Sequence, residues 1–224
     1  MFWGRWPGGL ESKLNNDRCL VLATRNKGKA DEIRVILNLP GLKLSLASDF
    51  PGAPEVEEKA STYAENAAAK ARALAAHSGY YSLADDSGLE VDLLGGQPGV
   101  FSARFSGVHG DDQENIRKLL RLLDGAPFHE RTARFRCVVA LAGPDGELVV
   151  KEGTCEGIIT ESPRGSSGFG YDPVFLVPEF GKTFAELGPG IKNKISHRAR
   201  ALNAIRFDIM AALGYNIHCM NSGA

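Results

Sequence analysis

No run of eighteen apolar residues occurs in the sequence, which excludes a bilayer-spanning helix. Cysteine is scarce: Cys19, Cys137, Cys155 and Cys219 complete the set. None forms a C-x-x-C pair and no histidine lies at zinc-finger spacing from them, so a zinc finger is excluded. Cys137 and Cys155 fall in apolar, strand-like runs and are expected to be buried free thiols, which suits a reducing cytoplasm. An excess of either charge is also lacking. Lys and Arg number 26 against 27 Asp and Glu, for a net charge of −1. That balance, with a pI near 6.5, excludes a broad nucleic-acid footprint but leaves room for a small basic pocket around one phosphorylated ligand. The opening MFWGRWPGGLESKLNND holds aromatics and arginine without a continuous apolar stretch, so no secretory signal is expected in it. Residues 1–18 read as a disordered extension, 19–215 as the folded unit and 216–224 as a C-terminal tail. No internal repeat is visible.

The chain has 224 residues, 43% of them hydrophobic and 24% charged, enough for one domain of one or two lobes with a sizeable core. CLVLAT (19–24) reads as a short buried strand, and NKGKADEIRVILN as a helix with Ile33, Ile36 and Leu37 on one face. LKLSLAS (42–48) alternates like a second strand. A polar connection leads to a helix starting near Ser61 or Thr62 and ending at Gly79. YYSLAD reads as a strand, LEVDLL as a separate short one, and DDQENIRKLLRLLDG as a helix striped by Ile116, Leu119, Leu120 and Leu123. Two long strands follow, joined by a Pro-Asp-Gly turn at 144–146. The last helix starts at Ser196, a good N-cap. Early alternation of strands and helices, then a hairpin, predicts an α/β fold with a mixed central sheet and flanking helices.

Several short stretches carry chemistry. TRNKGK (24–29) stands where a first strand hands over to a first helix. Free N–H groups there, with Lys27 and Lys29, suit phosphate, although an ordinary turn with solvated lysines fits as well. It lacks Walker A spacing. Asp85 and Asp86 stand together at what reads as a strand end. Two buried carboxylates repel unless a cation lies between them, and Mg²⁺ is such a cation. A carboxylate not fully used as a ligand can take a proton from water. A plain turn of Asp, Ser and Gly is the competing reading. EVEE (55–58) is either a second source of metal ligands or a complement to a helix dipole. Asn66 and Lys70 share a helix face. SSGFGYDP (166–173) combines glycines that allow close backbone approach with aromatics that can stack on a flat base. Lys192, Lys194, His197, Arg198 and Arg200 gather cationic groups around the last helix start.

In order along the chain, LATRNKGKADEI, YAENAAAKA, LADDSGLEVDLLGGQPGVFSARFSG, FRCVVAL, GFGYDPVF, GKTFAEL and K-x-x-x-SHRARAL make the sequence resemble the inosine triphosphate pyrophosphatase family. The resemblance covers residues 19–214. It implies two lobes around a long nucleotide-binding cleft, a homodimer, and Mg²⁺-dependent attack of water on ITP, dITP or XTP to give the monophosphate and pyrophosphate. It makes Thr24, Arg25, Asn26, Lys27, Gly28 and Lys29 the phosphate-binding segment. Asp86 becomes the general base, near the metal, with Glu57 or Glu58 as a further metal ligand. Ser87 contacts substrate, Phe169, Gly170, Tyr171 and Asp172 form the base-binding loop, and Lys192, His197 and Arg198 complete the site. A donor such as Arg198 would favour a 6-keto purine over adenine. Arg25 departs from the family's usual glycine, and the extension before Cys19 has no counterpart. A nucleotide-sensing module and a triphosphatase for other modified bases are the competing readings. Neither nucleic acid nor membrane is an expected partner.

Overall fold

Seven strands form one mixed sheet in the computed structural model, which describes residues 18–216. The expected extension and tail, with Cys219, lie outside the described residues, except that Arg18 is the first residue of a strand and Asn216 is the last residue described. The chain runs β1 (Arg18–Leu22), α1 (Lys27–Leu37), β2 (Leu42–Leu46), α2 (Tyr63–Ser78), β3 (Tyr81–Val91), α3 (Asp112–Leu122), β4 (Thr132–Ala142), β5 (Leu148–Ile159), β6 (Phe175–Val177), β7 (Lys182–Thr183), α4 (Phe184–Ile195) and α5 (His197–Ala212). The spatial order is β2-β1-β3-β4-β5-β6-β7. β1 pairs in parallel with β2 and β3, and every later pairing is antiparallel.

Local chemistry sets the helix ends. Asn26 caps α1 by accepting from Lys29 N at 3.1 Å. Thr62 accepts from Glu65 N at 3.2 Å at the start of α2, and Gly79 closes that helix with φ 73°. Ser196 caps α5 through Ala199 N at 3.2 Å. α4 and the short strands β6 and β7 were not foreseen. In α4, Gly188 at φ 69° and the following Pro189 break the periodicity that would reveal a helix.

One expectation is overturned. Asp85 and Asp86 do not stand at a strand end, and Ser87 and Gly88 are not a loop. All four lie inside the eleven-residue β3, paired residue for residue with β4 from Ser82↔Ala142 to Val91↔Ala133. Pairing along the whole of β4 overrides the turn preference of Asp-Asp-Ser-Gly. Successive side chains of a strand point to opposite faces, so the two carboxylates are separated by the sheet.

Each face has its own core. Leu83, Cys137, Val139 and Leu141 pack under α1 and α5, with Ile33, Leu37, Leu202 and Ile205. On the opposite face Ala84, Val138, Ala140 and Ala142 meet the alanine-rich side of α2. A further core, around Leu89, Phe135, Phe175 and Phe184, joins the distal halves of β3 and β4 to α3 and α4. β3 and β4 run through both ends. β1 stops at Leu22, however, and among the described residues the edge of β3 beyond Leu83 has no strand beside it until Glu90 bridges to Pro98.

Candidate nucleotide-binding site

The gap beside β3 opens where β1 leads by α1 to β2 on one side while β3 lies on the other. Such reversals of strand order, at the carboxyl ends of parallel strands, leave a crevice for a ligand. Here the crevice is a cavity of about 730 Å³. Its walls include Asn26, Lys29, Glu58, Lys70, Asp86, Ser87, Phe169, Lys192, His197 and Arg198.

On the α1/α5 face, Asp85 is fully buried amid cations. Its Oδ2 lies 3.1 Å from Lys29 Nζ and accepts from Arg198 Nη2 at 3.1 Å and Nε at 3.3 Å. Burial alone would raise its pKa, but Lys29, Arg198 and Lys70 together hold it well below the usual carboxylate range. Asp85 Oδ1 is buried without a donor among the described residues. Glu32, one turn beyond Lys29 on α1, pairs with Arg198 Nη1 and with Lys192 Nζ at 2.8 Å. Lys192 also pairs with the buried Asp172. A chain of alternating charges therefore runs Lys29, Asp85, Arg198, Glu32, Lys192, Asp172.

The opposite face carries Asp86. Asn66 Nδ2 donates to its Oδ2 at 3.0 Å, and Lys70 Nζ lies 3.7 Å from its Oδ1. Burial raises the pKa of Asp86 and the charge of Glu58 adds to the rise, against the opposing pull of Lys70. Lys70 bonds Glu58 Oε1 and the Asp85 carbonyl, each at 2.7 Å. Arg104 holds the Glu58 carbonyl at 2.8 Å. Glu57 instead pairs with Lys59 at the surface.

Among the described residues no three His, Cys, Asp or Glu side chains cluster to hold a metal ion. The donor set still fits a hard divalent cation. Asp86 and Glu58, both on the cleft, share one ammonium, that of Lys70. Mg²⁺ commonly takes only one or two protein carboxylates and completes its shell with water and phosphate oxygens.

The remaining expected residues divide by role. Thr24 Oγ1 and Asn26 Oδ1 shape the turn, accepting from Asn26 N at 3.2 Å and Lys29 N at 3.1 Å. Arg25 lines the cavity, whereas Lys27 faces a smaller adjoining hollow. Gly28 has no room for a side chain: a Cβ there would lie 2.7 Å from the Phe169 ring. Phe169 thus lies directly on the start of α1, with Lys192 Nζ 4.6 Å from its centroid. The rest of its loop is fastened. Phe169 N donates to Asp172 Oδ2 at 2.9 Å, Gly170 N to Asp112 Oδ2 at 2.7 Å, and Tyr171 Oη to Ser102 O at 2.9 Å. Ser87 Oγ accepts from Arg198 at 3.0 Å.

Two cationic expectations change. His197 is not a charged group. It stacks on Phe135 with centroids 4.6 Å apart, and burial, then Arg198 and Lys192, hold its pKa well below the ordinary value. Its Nδ1 is buried without a partner among the described residues. Arg198 is an open donor only in part. Four bonds, to Asp85 twice, Glu32 and Ser87, engage its fork and leave one N–H on Nη1. Sequence reasoning missed Glu32, Arg104 and Asp112. Glu32 did leave a signal, a carboxylate set on the apolar stripe of α1 between Lys29 and Ile36.

A cation-lined crevice with buried carboxylates, at the strand-order reversal of a mixed sheet, defines an α/β protein built around one anionic ligand. Comparison with known proteins narrows the class. The sequence pattern of the Ham1 family matches residues 20–207. A dITP/XTP pyrophosphatase of Shouchella clausii is 54% identical over 187 residues, which cover 84% of this chain and 94% of that one. One from Desulforamulus reducens is 55% identical over 183 residues, covering 82% and 91%. Among solved structures, a HAM1 protein from Coxiella burnetii superposes with TM-score 0.78 at 41% identity, over 87% of this chain and 99% of its own. A nucleoside-triphosphatase / dITP/XTP pyrophosphatase from Mycobacterium abscessus gives TM-score 0.68 at 43% identity, over 84% and 97%. The chain belongs to the Ham1 family.

Proposed function

We propose that this protein is a Mg²⁺-dependent nucleoside triphosphate pyrophosphohydrolase. It removes the non-standard purine nucleotides ITP, dITP and XTP as monophosphate and pyrophosphate, before they enter DNA or RNA. The observation that carries the reading is Asp86, a buried carboxylate of raised pKa on the cleft, oriented by Asn66 and flanked by Lys70 and Glu58. The naming of the Shouchella and Desulforamulus relatives supports the same activity.

Lys29 and the first N–H groups of α1 bind the phosphate chain, Thr24 and Asn26 shape the turn that presents them, and Arg25 stands at its edge. Asp86 takes the proton from the water that attacks the α-phosphorus. Asn66 fixes one oxygen of Asp86 and leaves the other toward Lys70. Lys29 and Lys70 offset the charge that grows on the departing pyrophosphate. Asp86 and Glu58, rather than Glu57, would hold Mg²⁺, which when bound supplies a concentrated positive charge against phosphate oxygens. Ser87 joins Arg198 to Asp85 beneath the substrate.

The purine lies on Phe169, in the loop Phe169–Asp172 braced by Lys192. Its edge meets the free N–H of Arg198 and the neutral imidazole of His197. A 6-keto oxygen accepts from such donors. The 6-amino group of adenine cannot, and leaves them unpaired. Residues 19–215 form the catalytic unit, which works as a cytoplasmic homodimer. No helix among the described residues is long and apolar enough to cross a membrane. Phe101 and Val108, exposed on the 92–108 connection, supply apolar surface for a dimer contact. Sedimentation is expected to give twice the 24.0 kDa chain mass, and a monomer at micromolar concentration would remove the dimer.

Pyrophosphate release from ITP, dITP and XTP beside ATP and GTP, with and without Mg²⁺, tests the whole. Fast, metal-dependent release from the first three alone is expected. Release of orthophosphate, or equal rates on ATP, would refute the reaction or the base selection. Binding of ITP without release would favour a sensing module.

A further inference from the structure

Arg25 and Glu55 pair at 2.6 Å, and both line the cleft. Arg25 lies in the turn that presents Lys29. Glu55 lies on the connection before α2, three residues ahead of Glu58. Both side chains are well exposed, at 63% and 70%, so the pair spans the rim rather than the floor. Ion pairs in such surroundings add little net stability, because water and salt screen them. The tie therefore breaks easily. A guanidinium matches phosphate oxygens as well as it matches a carboxylate, and a phosphate chain of several charges draws it more strongly than one carboxylate does.

We infer that Arg25 exchanges partners: Glu55 holds it at the rim of the empty cleft, and the phosphate chain of an entering nucleotide takes it over. Glu55 is then a competitor that weakens phosphate binding, and Arg25 is a binding residue whose strength Glu55 sets. The inference rests on the proposed placement of the phosphate chain along Thr24–Lys29. It predicts opposite effects from the two halves of one ion pair, which a merely structural tie would not produce.

The test is calorimetric titration of the full chain with inorganic tripolyphosphate in Mg²⁺ buffer. Arg25→Gly is expected to weaken binding by about fivefold and Glu55→Gln to tighten it by about two- to threefold. In the Arg25→Gly background, Glu55→Gln is expected to change nothing, because the competitor then has nothing to hold. Both differences shrink at high ionic strength. Weakening by both single variants would mean a structural tie and overturn the exchange. So would no change in either, or an equal Glu55→Gln effect without Arg25, which reports general charge alone. Arg25→Lys keeps the charge without the fork and is expected to fall between wild type and Arg25→Gly, a safeguard should the glycine variant fold poorly. Pyrophosphate release from ITP by the same preparations separates the two ideas. The expected binding pattern without turnover keeps the exchange and removes the enzyme, and turnover with a flat pattern does the reverse.

Discussion

Burial raises the proton affinity of any carboxylate, yet Asp85 and Asp86 depart from the ordinary value in opposite directions. Three cations surround Asp85 and keep it ionised, so it serves as a fixed negative charge. Asp86 shares Lys70 with Glu58 and keeps enough basicity to accept a proton. Asp86→Asn is expected to lower ITP turnover by roughly 10²–10⁴-fold while tripolyphosphate still binds, and unimpaired turnover would remove Asp86 as the base. His197 makes a second prediction. Its folded pKa lies well below that of an unfolded histidine near 6.5, so below about pH 6.5 the unfolded chain gains a proton that the native state does not. Stability from this residue is thus complete at neutral pH and falls with acidification, by up to about 1.4 kcal/mol per pH unit. Asp85 adds a separate loss at lower pH: its depressed carboxyl stabilises the fold above about pH 4 and ceases to as pH falls through its folded value. Melting temperatures at pH 7.5, 6.5 and 5.5 should show a decline that His197→Phe, stacked on the same Phe135, reduces. An unchanged slope would mean that other groups carry it.

At the scale of elements, α5 sits directly on β5 at Gly153. A Cβ there would come within 2.8 Å of Arg200 Cβ, and closer still to the His197 carbonyl and the Ala201 amide. Gly153→Ala therefore has to push away the first turn of α5, which carries His197 and Arg198. A loss of about 1–3 kcal/mol in urea unfolding is expected, and wild-type stability would mean that α5 shifts freely. The same elements mark what was legible beforehand. α1, α2, α3 and α5 announce themselves by caps and apolar stripes, and β4 and β5 by their Pro-Asp-Gly turn. α4 does not, because Gly188 and Pro189 interrupt it. β3 looked like two pieces because Asp, Ser and Gly favour turns in isolation, and only its partner β4 makes it one strand. The site followed the same rule. Residues within motifs were visible, whereas the roles of Glu32 and Asp112 depend on partners 166 and 58 positions away, which spacing along the chain does not encode.

On the scale of the whole molecule, two cores on the α1/α5 side of the sheet flank the cleft, and the charge chain from Lys29 to Asp172 bridges them. Every link in that chain is an ion pair between separate segments of the chain, so the cores are held together by charge as well as by the sheet. Small-angle scattering with and without Mg²⁺–tripolyphosphate is expected to give the same radius of gyration within about 0.5 Å, since interfaces of this kind move little on binding. A contraction of several ångströms would show that the two ends swing. The unbroken β3 makes such a swing costly. Its eleven residues are laced to β4 along their length, and a strand advances a fixed step of about 3.4 Å per residue. It therefore acts as a measuring rod, setting the separation between the carboxylates and the distal core whatever occupies the cleft. Ligands of other lengths are accommodated at the segments that border it, 23–26, 54–59, 100–109 and 169–172, so evolution of a new substrate range in this scaffold would be written in those segments and not in the sheet.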